Sequence, residues 1–301
     1  MRGRLKGTDV PQSAAYGVRQ NPGRMELEEM FTKVYGIDTA RSSGEWNMEF
    51  DRRLMQAFLD GRFRARYGEG SCVWRFYAWH PAAVTLGYNQ DPGSIDSERC
   101  SAEGIDIVRR PTGGRAVLHA EEFTYSFIAE TADQNAVIYR MVHEVILHAL
   151  EALGVHAEFC RSSLDMPKGA AIPVTCFTAS ARYELQAEGR KLVGSAQRRT
   201  GNVLLQHGSL PFTEAHKKLS RLVSVHDKCE AAAIRAELER KTVSLEELLG
   251  YIPAYSTMVG LIRDAWFRYS GMVMSMLERR ELESFLGFSR YPSTRNPQPE
   301  Q

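Results

Sequence analysis

The sequence lacks any apolar run of about 18 residues, the length that a membrane-spanning helix requires. Residues 1–24 are basic and lack the apolar centre of a secretory signal. Neither sign of charge dominates, because 38 basic and 37 acidic residues leave a net charge of +1. A balanced charge provides no general attraction to nucleic acid or to anionic lipid. We therefore expect a cytoplasmic protein with no nucleic-acid partner and no membrane partner.

Cysteine is scarce, and its spacing argues against two common roles. The five cysteines are Cys72, Cys100, Cys160, Cys176 and Cys229, and no two of them have the C-x-x-C spacing. An odd number of scattered cysteines does not suit a disulfide framework, and structural zinc sites use closely spaced pairs. We therefore predict free thiols and no metal site.

The hydrophobic pattern predicts a mixture of helices and strands. Apolar residues recur at helical spacing over 45–59 and 136–153, and Ser42 with Glu45 has the spacing of a capping box before the first helix. Strands are predicted at 72–79, 83–88, 105–110, 122–129, 155–160, 182–187, 191–196 and 202–210. A hairpin turn is predicted at residues 188–189. The absence of strict β-α-β alternation favours an α+β fold.

Most of the chain is expected to form one domain. We predict a poorly ordered extension over residues 1–38, a single large domain over residues 39–290 and a flexible tail over residues 291–301. Within the domain, the pattern becomes mainly helical from about residue 213.

The eight histidines show no metal-ligand spacing. His119 and His207 lie within the segments that carry the chemical motifs, so both are candidates for a functional role. His143 and His148 are expected on or beside the polar face of the 136–153 helix, in contact with solvent.

A glycine-rich segment with arginines on both sides is the most informative stretch of the sequence. Residues 109–119 read R-R-P-T-G-G-R-A-V-L-H. Gly113 and Gly114 allow positive φ angles and let backbone N–H groups approach an anion or an acyl carbonyl closely. The arginines complement phosphate or carboxylate groups. The same residues also fit an ordinary tight turn with solvated arginines, so this segment alone does not decide a function.

Cys176 and Lys191 lie in a second pair of motif segments, P-V-T-C-F (173–177) and G-R-K-L-V-G-S-A-Q (189–197). A free thiol is mostly protonated at neutral pH, and a nearby ammonium group lowers the pKa of the thiol. The intervening residues are numerous enough for a loop and a hairpin to bring the two side chains together. Spacing alone leaves open that Cys176 is a small buried apolar residue.

Taken together, the motifs resemble those of the biotin/lipoate A/B protein ligase superfamily, and most closely its LipM-type octanoyltransferases. The matching segments are N-M-E-F-D (47–51), R-F-Y-A-W (75–79), T-L-G-Y-N-Q (85–90), R-R-P-T-G-G-R-A-V-L-H (109–119), T-Y-S (124–126), C-F (176–177), Y-E-L (183–185), G-R-K-L-V-G-S-A-Q-R (189–198) and L-Q-H-G-S (205–209). They occur in the family's order. Met48-Glu49-Phe50 replaces the usual Met-Ala-Leu, and residues 1–38 and those beyond about 250 match poorly.

The resemblance implies a mixed, largely antiparallel sheet flanked by helices, and an octanoyltransferase of lipoate biosynthesis that uses no cofactor. It assigns catalysis to Cys176 and Lys191. The residues expected to bind the substrate are Arg110, Thr112, Gly113, Gly114, His119, Gly194, Ser195 and Ala196. The implied donor is octanoylated acyl carrier protein. The implied acceptor is a lysine on the lipoyl domain of a 2-oxoacid dehydrogenase or on the glycine-cleavage H protein.

Three other functions remain open on the sequence. An ATP-dependent lipoate–protein ligase has the same fold and needs no cysteine, but such ligases typically have Asn-Asp where this chain has Tyr183-Glu184. An octanoyl amidotransferase moves the acyl group from H protein to other lipoyl domains, also through a cysteine. A non-catalytic acyl-binding protein with the same fold is the third alternative.

Overall fold

The centre of the protein is an eight-stranded sheet, seen in a computed structural model that describes residues 30–160, 184–225 and 228–288. The strands are β1 (Lys33–Ser42), β2 (Ser71–Trp79), β3 (Ala83–Leu86), β4 (Asp106–Arg109), β5 (Val117–His119), β6 (Glu122–Glu130), β7 (Glu158–Cys160), β8 (Glu184–Ala187), β9 (Arg190–Thr200), β10 (Val203–Pro211) and β11 (Ser275–Met276). The large sheet has the order β11-β1-β2-β6-β10-β9-β8-β7. β1 pairs in parallel with β2 and β11, and the other neighbours pair antiparallel.

A second, three-stranded sheet has the order β4-β3-β5. The helices are α1 (Gly44–Leu59), α2 (Arg62–Tyr67), α3 (Ser97–Ala102), α4 (Asn135–Ala152), α5 (Lys228–Lys241), α6 (Leu245–Leu249), α7 (Tyr255–Ser270) and α8 (Arg279–Phe285), with 3₁₀ helices at Pro92–Ser94 and Glu214–Arg221. The mixed, largely antiparallel sheet with flanking helices confirms the predicted α+β fold. None of the helices in the described part of the chain combines the length and the apolar character that crossing a bilayer requires.

The N-terminal end of the fold differs from the prediction. Residues 33–38, which were expected to belong to a poorly ordered extension, form most of strand β1. Val34 and Ile37 of this strand are buried, and Gly36 leaves room for the sulfur of Met274, which would lie 2.6 Å from a Cβ at that position. β1 is held by parallel pairing with β2 and β11, which are both distant in the sequence. The sequence of residues 33–38 alone therefore does not reveal the strand. Residues 1–29 and 289–301 lie outside the described residues.

Helix α1 places the polar side chains of Asn47 and Asp51 in the core beside its apolar ones. Its N-cap is Ser43, one residue after the predicted Ser42, and the Ser43 hydroxyl accepts a hydrogen bond from the backbone N–H of Trp46. Met48 and Met55 are buried as predicted, whereas Leu59 is 38% exposed.

Helix α4 packs an apolar stripe between the sheet and helix α7. Ile138, Val142 and Val145 are fully buried, as the spacing predicts. Gly154 has a φ of +88° just after the helix, a left-handed conformation that suits a helix end. The predicted position of this helix is therefore confirmed.

Candidate active site

A pocket lies between the two sheets. The lining residues are Met48, Tyr77, Trp79, Thr85, Arg110, Val117, His119, Thr124, Lys191, Gly194, Ser195, Ala196, His207, Gly208 and Ser209. The predicted residues Lys191, Arg110, His119, Gly194, Ser195 and Ala196 are thus brought together around one cavity.

Cys176 cannot be placed relative to this pocket, because residues 161–183 lie outside the described residues. Its catalytic role stays a prediction. The same holds for Tyr183. The described residues contain no group of three or more His, Cys, Asp or Glu side chains arranged to hold a metal ion.

A β-bulge directs Lys191 into the pocket. Leu185 pairs with Val193 and Gln186 pairs with Lys191, so Leu192 has no partner residue on β8. Leu192 and Val193 both join the hydrophobic core, which an unbroken alternation of faces would not allow. Because of this extra residue, the Lys191 side chain faces the pocket, as Gly194 and Ala196 of the same strand also do. The tight turn that precedes β9 has positive φ angles of 52° at residue 188 and 71° at residue 189, which confirms the predicted hairpin.

Lys191 is paired with a carboxylate from the neighbouring strand. Its ammonium group donates a hydrogen bond of 2.8 Å to Glu184 Oε1, and the two side chains are only 5% and 7% exposed. A buried ion pair of this kind holds both groups in fixed positions, and removal of one partner takes away a charge that balances the other.

Arg110 holds the glycine-rich segment in place. Its guanidinium donates to the Gly113 carbonyl at 2.9 Å, to the Arg115 carbonyl at 2.7 Å and to both oxygens of Thr85 at 3.0 and 3.1 Å. Arg110 therefore lines the pocket with a side chain that is already bonded on every side, rather than one that extends into solvent.

Thr112, Gly113 and Gly114 support the pocket wall rather than line it. The Thr112 hydroxyl lies 2.6 Å from His207 Nε2, and the Gly113 carbonyl accepts from Arg110. Gly114 has a φ of +99°, and its carbonyl oxygen would lie 1.8 Å from a Cβ built on Gly87. These residues shape the loop, and the contact requires glycine at position 87.

His119 is fixed between a carboxylate and a hydroxyl. Its Nδ1 lies 2.7 Å from Glu122 Oε1, its Nε2 lies 2.9 Å from Thr85 Oγ1, and its ring stacks on Trp79 with centroids 4.2 Å apart. Glu122 also accepts hydrogen bonds of 2.5 Å from the hydroxyls of Thr124 and Ser209. Glu122 was not predicted, although it lies only three residues after the candidate His119, and that local spacing was a signal that could have found it.

A second buried network connects helix α1 to His207. Asp51 Oδ1 accepts from the Arg75 guanidinium at 2.8 Å and from the Ser126 hydroxyl at 2.9 Å, and Asp51 Oδ2 lies 3.6 Å from His207 Nδ1. Burial raises the pKa of Asp51, but Arg75 and His207 outweigh it and hold the pKa below its usual value. Burial lowers the pKa of His207, and Asp51 offsets part of that decrease. The polar side chains around the pocket thus bond mainly to each other.

His143 contradicts its predicted exposure. It is fully buried in α4, and its Nε2 lies 2.9 Å from the hydroxyl of Ser195, which in turn lies 2.7 Å from the Tyr125 hydroxyl. Gly208 makes this contact possible, because a Cβ there would lie 2.6 Å from the Ser195 and Tyr125 oxygens. The network fixes Ser195, one of the pocket residues, from the side of the helix.

We expect the stability of the protein to fall as the pH falls below the ordinary histidine pKa of 6.5. Burial, with a contribution from the Lys191 charge, lowers the pKa of His143 to about 3, and burial lowers the pKa of His216 to about 4. Below pH 6.5 the unfolded chain binds protons that the folded protein excludes, so each histidine removes about 1.4 kcal/mol of stability per pH unit.

Urea denaturation between about pH 7 and pH 4 measures this slope. The His143→Asn variant should show a smaller slope than the unmodified protein. The control is His156→Asn, since His156 is exposed. Equal slopes for both variants would contradict the assignment to His143.

Comparison with known proteins identifies similar sequences over most of the chain. The lipoyl protein ligase A/B catalytic domain matches residues 43–264. The protein named octanoyltransferase LipM of Symbiobacterium thermophilum is 34% identical over 258 residues, which cover 82% of this chain and 91% of that protein. The protein of the same name in Exiguobacterium sibiricum is 38% identical over 227 residues, or 71% and 78% of the two chains. That of Bacillus subtilis is 34% identical over 226 residues, or 71% and 77%.

Solved structures support the fold. The crystal structure of lipoate-protein ligase A bound with ATP has a TM-score of 0.65 at 18% identity, and covers 85% of this chain and 93% of the ligase. The bipartite lipoate protein ligase of Thermoplasma acidophilum has a TM-score of 0.64 at 17% identity, with 85% and 91% covered. At such low identities the likeness concerns the fold alone.

Proposed function

This chain belongs to the lipoyl protein ligase A/B catalytic domain family, and from that premise we propose that it is an octanoyltransferase that carries its acyl group on Cys176. Its relatives named octanoyltransferase LipM extend over most of the chain. The structural observation that carries the proposal is Lys191, which lies in the wall of the inter-sheet pocket and is fixed by Glu184.

The proposed donor is octanoylated acyl carrier protein, and the proposed acceptor is a lysine of a lipoyl domain or of the glycine-cleavage H protein. In the first step the Cys176 thiolate attacks the thioester carbonyl, the new carbon–sulfur bond forms, and the carrier's pantetheine thiol leaves with a proton. In the second step the acceptor amine attacks the acyl-cysteine, an amide bond forms, and the Cys176 sulfur leaves.

Lys191 has a defined task in both steps. Its ammonium group stabilises the thiolate by charge in the first step and gives a proton to the departing pantetheine sulfur, which leaves Lys191 as a neutral amine. In the second step this amine takes the proton that the attacking amine loses, and the Cys176 sulfur leaves as a thiolate. The hydrogen bond to Glu184 holds the Lys191 nitrogen at the pocket wall in both steps. The apolar side chains of Met48, Tyr77 and Trp79 supply a surface for the octanoyl chain.

Octanoyl transfer in the absence of ATP tests the proposal. We expect the purified chain to move the octanoyl group from octanoylated carrier protein to a lipoyl domain without nucleotide, measured as the mass increase of the lipoyl domain. Transfer from free octanoate that requires ATP, and that persists in Cys176→Ser, would instead identify an ATP-dependent ligase.

A comparison of donors separates the transferase from the amidotransferase alternative. Octanoylated acyl carrier protein and octanoylated H protein are supplied in turn at equal concentration, with a lipoyl domain as acceptor. The proposal requires faster transfer from the carrier protein. Transfer from H protein alone would assign the amidotransferase activity.

A further inference from the structure

The inter-sheet pocket has a larger neighbour along helix α1. A groove runs between α1 and the end of β4. Among the residues that line it are Met48, Met55, Arg110, Arg198 and Thr200. Met48 and Arg110 line both the pocket and the groove. The two spaces therefore meet at these two side chains.

Strand β9 gives the direction from one space to the other. Lys191, Gly194 and Ala196 line the pocket, and Arg198 and Thr200, farther along the same strand, line the groove. A strand advances about 3.3 Å per residue, so the line from Lys191 through Ala196 leads towards the groove. If the acyl carbonyl lies near Lys191, a point that rests on the proposed function, the methyl end of the chain points towards Met48 and Arg110.

The two side chains at the meeting point differ in how firmly they are held. Arg110 is bonded to the carbonyls of Thr85, Gly113 and Arg115, which fixes the guanidinium in place. Met48 belongs to an apolar cluster with Tyr77, Trp79 and Ala83. A thioether chain of this kind fills irregular space and can be shortened without leaving a polar group unbonded.

We propose that Met48 is the residue that limits the length of the acyl chain, because its side chain closes the pocket where the pocket meets the groove. A chain that fits the pocket ends against Met48. A longer chain has to displace the thioether to enter the groove.

The experiment measures chain-length preference after truncation of Met48. The affinities of octanoic, decanoic and dodecanoic acid are measured by calorimetry, and transfer is measured from the three corresponding acyl carrier proteins. Each newly accommodated methylene contributes about fourfold, so Met48→Ala should raise the preference for decanoyl over octanoyl by about 15-fold. Met48→Leu, which keeps the volume, should retain the original preference.

Met55→Ala is the matched control. Met55 is a buried methionine of the same helix and lines the groove but not the pocket, so its truncation should leave the preference unchanged. If Met48→Ala fails to fold, Met48→Val makes a smaller truncation with a shift in the same direction.

The outcomes for the inference and for the proposed function are distinct. Folded Met48 variants with the original preference in the binding assay would overturn the role of Met48, whatever the transfer assay shows. Tighter binding of decanoic and dodecanoic acid by Met48→Ala supports the role of Met48, even if the unmodified protein transfers none of the acyl groups. That last result would reject the proposed function alone.

Discussion

Replacement of Cys176 by alanine is expected to abolish both octanoyl transfer and the covalent acyl adduct. The proposed route passes through a thioester on this sulfur, so its loss leaves no acyl-enzyme and lowers turnover by roughly a thousandfold or more. Intact mass spectrometry after incubation with octanoylated acyl carrier protein measures the adduct. Peptide mapping then assigns its position.

Cys160 provides the matched control for that experiment. It pairs with Glu184 across β7 and β8. Among the cysteines of the described residues, it therefore lies nearest in the sheet to Glu184, the partner of Lys191. Burial raises the pKa of the Cys160 thiol, and the carboxylates of Glu158 and Glu184 raise it further. A thiol with a raised pKa has little thiolate and is a poor nucleophile. Cys160→Ala should therefore retain the adduct, and an octanoyl group mapped to Cys160 in the unmodified protein would refute the role of Cys176.

Helix α4 shows how far local sequence can predict this structure. The spacing of Ile138, Val142 and Val145 located the helix, because burial of an apolar stripe depends on residues close in sequence. The same spacing contained a signal for His143, which lies three positions before Ile146 and seven before Leu150, on the buried face. The prediction of a solvated histidine was wrong because it followed the residue type rather than its position.

The pocket was harder to predict than helix α4, because it is formed by sequence motifs and by contacts between residues that are far apart in the sequence. The glycine-rich segment and the β9 segment contain several residues that line the pocket, including Arg110 and Lys191, and their roles stay predictions. Asp51 was not predicted because it meets His207 only after helix α1 and strand β10 pack together, whereas Glu122 lies three residues from His119 and was missed despite that local spacing. The Lys191–Glu184 pair depends on a bulge at Leu192, and the addition of one residue to a strand reverses the faces of all residues beyond it.

The second large effect is expected at Lys191, where structural and chemical roles must be separated. Lys191→Met leaves the Glu184 carboxylate buried without its ammonium partner, which costs about 3–5 kcal/mol of stability. Loss of activity in that variant alone therefore proves nothing about catalysis. The double variant Lys191→Met/Glu184→Gln removes both charges, and we expect it to recover most of the lost stability.

The proposed chemistry predicts that the double variant stays inactive although it is folded. Without the Lys191 amino group, the thiolate loses the charge that stabilises it, and the attacking amine loses the neutral amine that accepts its proton, so acyl transfer should fall by about 10²–10⁴-fold. Chemical denaturation measures the recovery of stability, and the mass of the lipoyl domain measures transfer. Glu184→Gln alone retains the ammonium and should keep more activity than the double variant. Recovery of activity together with stability in the double variant would show that Lys191 only supports the fold, because a group required for proton transfer cannot be replaced by a thioether.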